Sequence, residues 1–201
     1  MAYRKTPATK ARKDARRKTI LDAATRLFGA HGYHSTTVPM IVAESDSSVG
    51  SFYAHFRNKE DAFAAVLEAL GQKVTELMHQ ARASQDDALL GIQSAVESLF
   101  LFLADNPGDA RILIVESSGL SPRLERVRRT ILRQHAEQVC QTMESTPRAF
   151  SVSQPVIAAR CLVGAVFESL YSWLEEDPND RQSAAGVARA VAEYNSRAIR
   201  C

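Results

Sequence analysis

The stretch TTVPMIVAESDSSVGSFYAHFRNKED, residues 36 to 61, holds the side chains whose types and spacing could do chemistry. That chemistry is contact with a large polar partner. Thr37 carries a hydroxyl able to cap the free amides of a first helical turn. Pro39 is tolerated in that turn, where amides have no intrahelical partner, and Ile41 supplies an apolar anchor. Ser45-Asp46-Ser47 is polar and turn-forming, and Ser47 or Ser48 can cap a second short helix. On that helix Phe52 and Phe56 are four apart, so they share one face and pack inward. Val49, Gly50, Ser51 and Tyr53 then lie mostly on the open face. A short helix that turns small groups and a tyrosine outward suits the major groove of duplex DNA. Asn58 caps the following helix, and Glu60 and Asp61 suit its positive end.

The charge distribution points the same way. Residues 1–60 carry 11 Lys and Arg against 5 Asp and Glu, a net of +6, while the other 141 carry 14 against 18, a net of −4. A basic front on an acidic remainder fits nucleic-acid binding at one end. A solvated charged tail is the plainer alternative. Residues 1–13 read as a basic flexible arm, and Arg16 and Arg17, just behind it, are candidates for DNA contact. Cys140, Cys161 and Cys201 are scattered, with neither metal-site spacing nor a disulfide framework, which fits reduced thiols in a cytoplasm. The N-terminus lacks the apolar stretch of a secretory signal. No apolar run looks long enough to span a bilayer.

Helical spacing organises the rest into an all-α chain. A first helix spans about residues 14–31, with Ile20, Ala24, Leu27 and Phe28 as its stripe and Gly32 as its stop. Residues 14–61 thus form a three-helix head, and residues 62–201 a helical body. A long helix from Lys59 to about Ser84 leaves the head and enters the body, with Gly71 in its middle as a site of close packing. The next helix covers about 86–104 and ends in Leu99-Phe100-Leu101-Phe102-Leu103, apolar on every side. Asp105-Asn106-Pro107-Gly108 is a turn, and 109–118 reads as a short buried helix. Ser121 and Pro122 open a helix to about Met143, whose stripe includes His135. Its Arg123, Arg126, Arg129 and Arg133 could receive a phosphorylated tail such as that of coenzyme A, or form an ordinary solvated face. The last two helices cover about 155–176 and 180–200.

Thr37, Ile41, Ser48-Val49-Gly50-Ser51-Phe52-Tyr53, His55-Phe56 and Lys59-Glu60 together resemble the DNA-binding signature of the TetR family of transcriptional regulators. The likeness covers about the first third of the chain. Asp46-Ser47 replace the usual Gly-Val of the turn, Val42 replaces Ala, and Val49 stands where Lys is frequent. The resemblance implies a homodimer that binds a near-palindromic DNA operator and is released, as a repressor, by a small molecule. It places Thr36, Thr37, Ser48, Ser51, Tyr53, His55 and Lys59 at the DNA, chiefly at phosphates, with Val49, Gly50 and Ser51 at base edges. It implies pairing of the last two helices with their copies, through Gly164, Phe167, Tyr171, Trp173, Val187, Val191 and Tyr194. A ligand pocket would lie among the body helices, with Met78, Phe100, Leu103, Ile112, Val115, His135 and Phe167 as candidate lining, although apolar periodicity alone also fits plain core. The inducer would be apolar, and residues 111–126 loosely resemble regulators of fatty-acid metabolism, which makes an acyl-coenzyme A a candidate.

Other classes fare worse. The sequence shows no HExxH, phosphate-cradling glycine loop, nucleophile elbow or Cys/His cluster. An enzyme or helical carrier is therefore disfavoured, and no cofactor or metal is expected. A DNA-binding adapter of the same fold with no inducer is the remaining alternative.

Overall fold

The computed structural model describes residues 7–177 and 179–200. The head consists of α1 (Pro7–Ser35), α2 (Val38–Glu44) and α3 (Val49–Tyr53). Helix α4 (Lys59–Ala83) runs from the head into a body of α5 (Ala88–Asp105), α6 (Pro107–Ala110), a π-helical stretch (Arg111–Glu116), α7 (Pro122–Ser145), α8 (Pro155–Glu175) and α9 (Ala184–Ile199).

The helix starts follow local chemistry. Thr37, Ser48, Asn58, Asp87, Ser121 and Ser183 each accept a hydrogen bond from the backbone amide three residues on. Each satisfies a donor that the first turn would otherwise leave open. At the α2–α3 turn, Asp46 takes a left-handed conformation with φ 45°. A short polar side chain tolerates this where glycine is the usual solution.

Three boundaries differ from the sequence reading. Helix α1 begins at Pro7, so residues 7–13 of the expected arm are helical, while Arg4 and Lys5 lie outside the described residues. Helix α9 begins at Ala184 rather than near Asp180. The segment expected as a short buried helix is α6 followed by the wider π-helical turn, which buries Ile112, Leu113 and Ile114. Leu101 is 46% exposed, so the apolar end of α5 is not buried all round.

By length and composition alone, α5 and α8 are each long and apolar enough to cross a bilayer, as core helices also can be. Scattered polar residues interrupt both, so neither stands out in the sequence as an unbroken apolar run. In the fold α5 packs against α4 and α9, and α8 packs against α7 and α9.

One core joins head and body. Ile20, Phe28, Ile41, Phe52 and Phe63 are continuous through α4 with Leu67, Leu99, Phe100, Leu103, Ile112 and Leu124. Phe28 and Phe63 meet edge to face at 4.9 Å, a geometry that adds to their burial. A smaller cluster of Ile92, Met143, Phe150, Leu162 and Ile199 closes the far end. Gly71 packs close as expected: a Cβ there would lie 2.7 Å from Ile131 Cδ1.

A close approach of backbone to backbone was not anticipated. A Cβ on Gly29 of α1 would stand 2.8 Å from Gly108 Cα on α6. Backbone cannot swing aside as a side-chain end can. Gly29→Ala is expected to destabilise the fold by about 1–3 kcal/mol, read as a lower denaturant midpoint at unchanged slope.

Candidate nucleic-acid interface and ligand cavity

Helix α3 is held by its inner face and free on its outer one. Phe52 is fully buried and packs against Phe56, while Val49 is 51% and Tyr53 55% exposed. Gly50 and the capping Ser48 are exposed, and Ser51 is half-buried. Thr37 is exposed at the start of α2. The basic start of α1 lies beside this face. Arg17 sits over the Phe56 ring at 5.1 Å, and Arg16 Nη1 donates to the Asp46 carbonyl at 3.2 Å. Both arginines remain exposed. The half-buried His55 has its pKa lowered by desolvation and then by the positive charges of Lys13, Arg17 and Arg16, against a smaller opposing effect of Asp14. A neighbouring cation disfavours the charged imidazole in this way.

Two expected contacts take other roles. Thr36 is fully buried, and its hydroxyl donates to the Gly32 carbonyl at 2.8 Å. It closes the end of α1 and offers no group to a partner. Lys59 donates to the carbonyls of Tyr33 at 2.7 Å and His34 at 3.3 Å, and stands 4.3 Å over the Tyr33 ring. Burial lowers its pKa. In this structure its ammonium joins the start of α4 to the end of α1.

The head is also tied to the body by polar contacts. Gly32 kinks the chain within α1 at φ 79°, a backbone conformation that glycine accepts without strain. The next amide, that of Tyr33, donates to Glu116 Oε2 at 2.9 Å. Arg111 pairs with Glu116 at 3.0 Å and donates to the Ala30 carbonyl at 3.3 Å. Ser121 donates to Glu60 Oε1 at 2.6 Å, and Arg123 pairs with Asp61. Burial works to raise the Asp61 pKa, but the Arg57 amide and the Arg123 guanidinium outweigh it and hold the carboxyl below its ordinary value. Arg123 is therefore committed to the head and unavailable to a phosphate tail. Arg129 and Arg133 stand within 4 Å of Glu125 and Glu137.

The body contains two neighbouring spaces. The inner one is a narrow cavity of about 30 Å³ between α4, α5, α7, α8 and α9. Of the residues proposed as lining, Met78, His135 and Phe167 border it. Phe100, Leu103 and Ile112 do not: each is at most 1% exposed and belongs to the core. The outer space is an open cleft of about 770 Å³ between the π-helical stretch, α7 and α8, bordered by Val115 and by Arg128, Arg133 and Arg160. Val163 and Phe167 border both. Sequence reasoning missed Arg82, Gln138 and Asn195, which border the inner cavity. Asn195 was findable: it interrupts the apolar stripe of α9 formed by Val187, Val191, Ala188, Ala192 and Ile199.

On α8 and α9, Gly164, Tyr171 and Tyr194 are exposed, with Tyr194 at 66%. Val187 and Phe167 are half-buried, and Val191 lies in the core. Trp173 is a correction. It is 4% exposed, its indole donates to the Gln182 carbonyl at 2.8 Å, and Arg181 lies 4.2 Å over its ring. It fastens the α8–α9 connection and cannot anchor a partner.

The chain thus combines a helix-turn-helix head with a helical body that holds an internal cavity. Residues 20–66 match the family model described as bacterial regulatory proteins, tetR family. The fold agrees along the chain. The fatty acid degradation regulator FadR from Bacillus halodurans is 17% identical, over 96% of this chain and 97% of that one, with a TM-score of 0.79. FadR from Bacillus subtilis, solved in complex with stearoyl-CoA, is 19% identical over 90% and 98%, with a TM-score of 0.78. The SmeT–triclosan complex is 22% identical over 93% and 92%, also with a TM-score of 0.78. Residues 20–66 thus match the tetR-family model, and the chain as a whole shares its fold with these solved structures.

Two outcomes follow. Tyr53→Ala is expected to weaken binding evenly across DNA sequences with the slope of log affinity against log salt unchanged, since a neutral phenol at a phosphate releases no counterion, whereas Arg17→Ala should reduce that slope by about 1. Loss of sequence preference in Tyr53→Ala would refute the phosphate role of the phenol. Burial, reinforced by the Arg82 charge, pushes the His135 pKa down from 6.5 to about 4. Between these values the unfolded chain binds a proton that the folded one excludes. Stability should therefore fall as pH drops from 6.5 toward 4, by up to about 3 kcal/mol from this group. His135→Leu should flatten that part of the pH–stability curve.

Proposed function

We propose that this protein is a dimeric, ligand-responsive transcriptional repressor. The observation that carries the reading is the free outer face of α3, with Val49 and Tyr53 more than half exposed, beside the exposed cations of α1. That pairing supplies shape for the major groove and charge for the backbone. Val49, Gly50 and Ser51 face base edges, while Thr37, Ser48, Tyr53, His55, Arg16 and Arg17 position the head. Lys59 and Thr36 act from beneath by fixing the junction of α1 and α4.

Two copies pair through the exposed sides of α8 and α9, around Gly164, Tyr171 and Tyr194. Two-fold symmetry then requires a near-palindromic operator. The inducer is small and largely apolar, enters the body and favours a conformer whose heads are badly spaced. A fatty acyl-coenzyme A is one member of that class. The stearoyl-CoA seen in the Bacillus subtilis FadR and the arginines around the outer cleft support trying it first. The reading places the protein with the DNA, in the cytoplasm.

The test is a gel shift with DNA flanking its own gene, with and without acyl-coenzyme A or a cell metabolite extract. Binding that a metabolite releases supports the repressor. Binding that nothing releases favours a DNA-binding adapter without inducer, and binding to no DNA overturns the reading.

A further inference from the structure

The lining of the narrow inner cavity is apolar except for Arg82, His135, Gln138 and Asn195. His135 of α7 and Asn195 of α9 are 3% and 1% exposed. Both His135 ring nitrogens and Asn195 Oδ1 lack a hydrogen-bond partner among the described residues. Asn195 Nδ2 has only a long contact, 3.5 Å to the Leu162 carbonyl. A buried polar atom left unpaired costs about 1–3 kcal/mol, so a leucine at either position would be the more stable choice. Unpaired groups of this kind in a folded core ask for a partner from outside the chain.

A third polar group sets the sign of that partner. Arg82 borders the same cavity. Among the described residues its guanidinium has no carboxylate, and its one hydrogen bond, to Gln138 Oε1, is 3.4 Å long. No aspartate or glutamate borders the cavity. A half-buried guanidinium facing neutral donors is matched by an oxyanion. The remaining lining, including Met78, Leu99, Val166 and Phe167, is apolar.

We propose that the inner cavity seats a free carboxylate: a mostly apolar carboxylic acid whose head lies among Arg82, His135 and Asn195. The carboxylate accepts from Arg82 and from one imidazole N–H, and Asn195 Nδ2 swings to it out of its long contact with the Leu162 carbonyl. The apolar part runs past Val163 and Phe167, which border both spaces, toward the outer cleft. Met78 and Phe167 must shift to admit it, since the cavity holds only about 30 Å³; the unbranched methionine gives way readily. A coenzyme A ester with a plain hydrocarbon tail fits this cavity poorly, because it lays methyl and methylene groups against the unpaired polar atoms. The proposal rests on the reading of the body as a ligand sensor and names the sensed class.

The test is calorimetric titration of the full chain with octanoate, octan-1-ol and octanoyl-coenzyme A, for wild type, Arg82→Gln and His135→Leu. Octanoate should bind about tenfold tighter than the alcohol, and each substitution should weaken it about tenfold. Thermal melting without ligand separates recognition from folding: His135→Leu should leave Tm unchanged or raise it while affinity falls. The proposal is overturned if octanoate does not bind, if the alcohol or the ester binds as tightly, or if both variants bind octanoate like wild type. Absence of binding together with a stabilising His135→Leu would mean that the cavity holds a buried water only. Release of the operator by a non-carboxylate metabolite would sink this proposal while the repressor reading stands.

Discussion

The structure depends on how closely the end of α1 lies against α6 and the π-helical stretch. Gly29 and Gly108 bring two backbones together with no side chain between them. Such contact leaves no soft atoms to absorb a displacement. Around it, Glu116 accepts from the Tyr33 amide, and Arg111 reaches the Ala30 carbonyl. A π-helix bonds residue i to i+5, so residues five apart stand over one another. Arg111 and Glu116 are five apart and pair at 3.0 Å. The wide turn thus assembles the acid–base pair that receives α1. An α-helical turn would rotate these two side chains away from each other. The same six residues present Ile114 and Val115 to the outer cleft. Cleft and head therefore share one short element, and a group pressing on Val115 acts on the element that holds Glu116.

This junction alters the electrostatics of the head. Lys59 is spent on two carbonyls and a ring, and Arg123 on Asp61. Val49 contributes no charge to α3. The positive field at the proposed DNA face thus comes from α1, where Lys13, Arg16 and Arg17 are exposed. Such a division separates the element that attracts the backbone from the one that reads bases. The cations stand on a helix whose far end is locked to the body, so their position over a phosphate is set by the same contacts that Glu116 controls.

Much of the head was legible because its information is local. Thr37, Ser48 and Asn58 cap the helices expected of them, Phe52 and Phe56 turn inward together, and Asp46 takes the left-handed turn. Capping, i to i+4 spacing and turn chemistry each act within a few residues. What escaped the sequence was long-range. The partners of Lys59 come from the end of α1, more than 20 residues away, and nothing in the motif distinguishes a lysine that reaches DNA from one that reaches a carbonyl. The same holds for Trp173, whose partner carbonyl lies across a loop. In the body, helical periodicity separates buried from exposed but cannot separate core from cavity wall. Phe100 and Ile112 share the stripe pattern of Met78 and Phe167, yet only the latter pair borders a cavity. Polar residues on apolar stripes were the better guide, and His135 and Asn195 both carry that mark.

Helix α8 is where cavity and assembly meet. Phe167 is half-buried and borders both the inner cavity and the outer cleft, so its ring stands in the partition between them. One turn earlier Gly164 borders the cleft and is open, with nothing within 4 Å of a Cβ built on it. In the proposed dimer, the face around Gly164 and Tyr171 meets the partner while Phe167 faces the ligand. A rigid helix cannot rotate one face without the other. Moving Phe167 to admit a ligand therefore turns or shifts the surface through which the two copies touch. In that dimer the surface would set the spacing of the heads, and the π-helical stretch the tilt of each. Both border the same cleft, so a single occupant can act on spacing and tilt together.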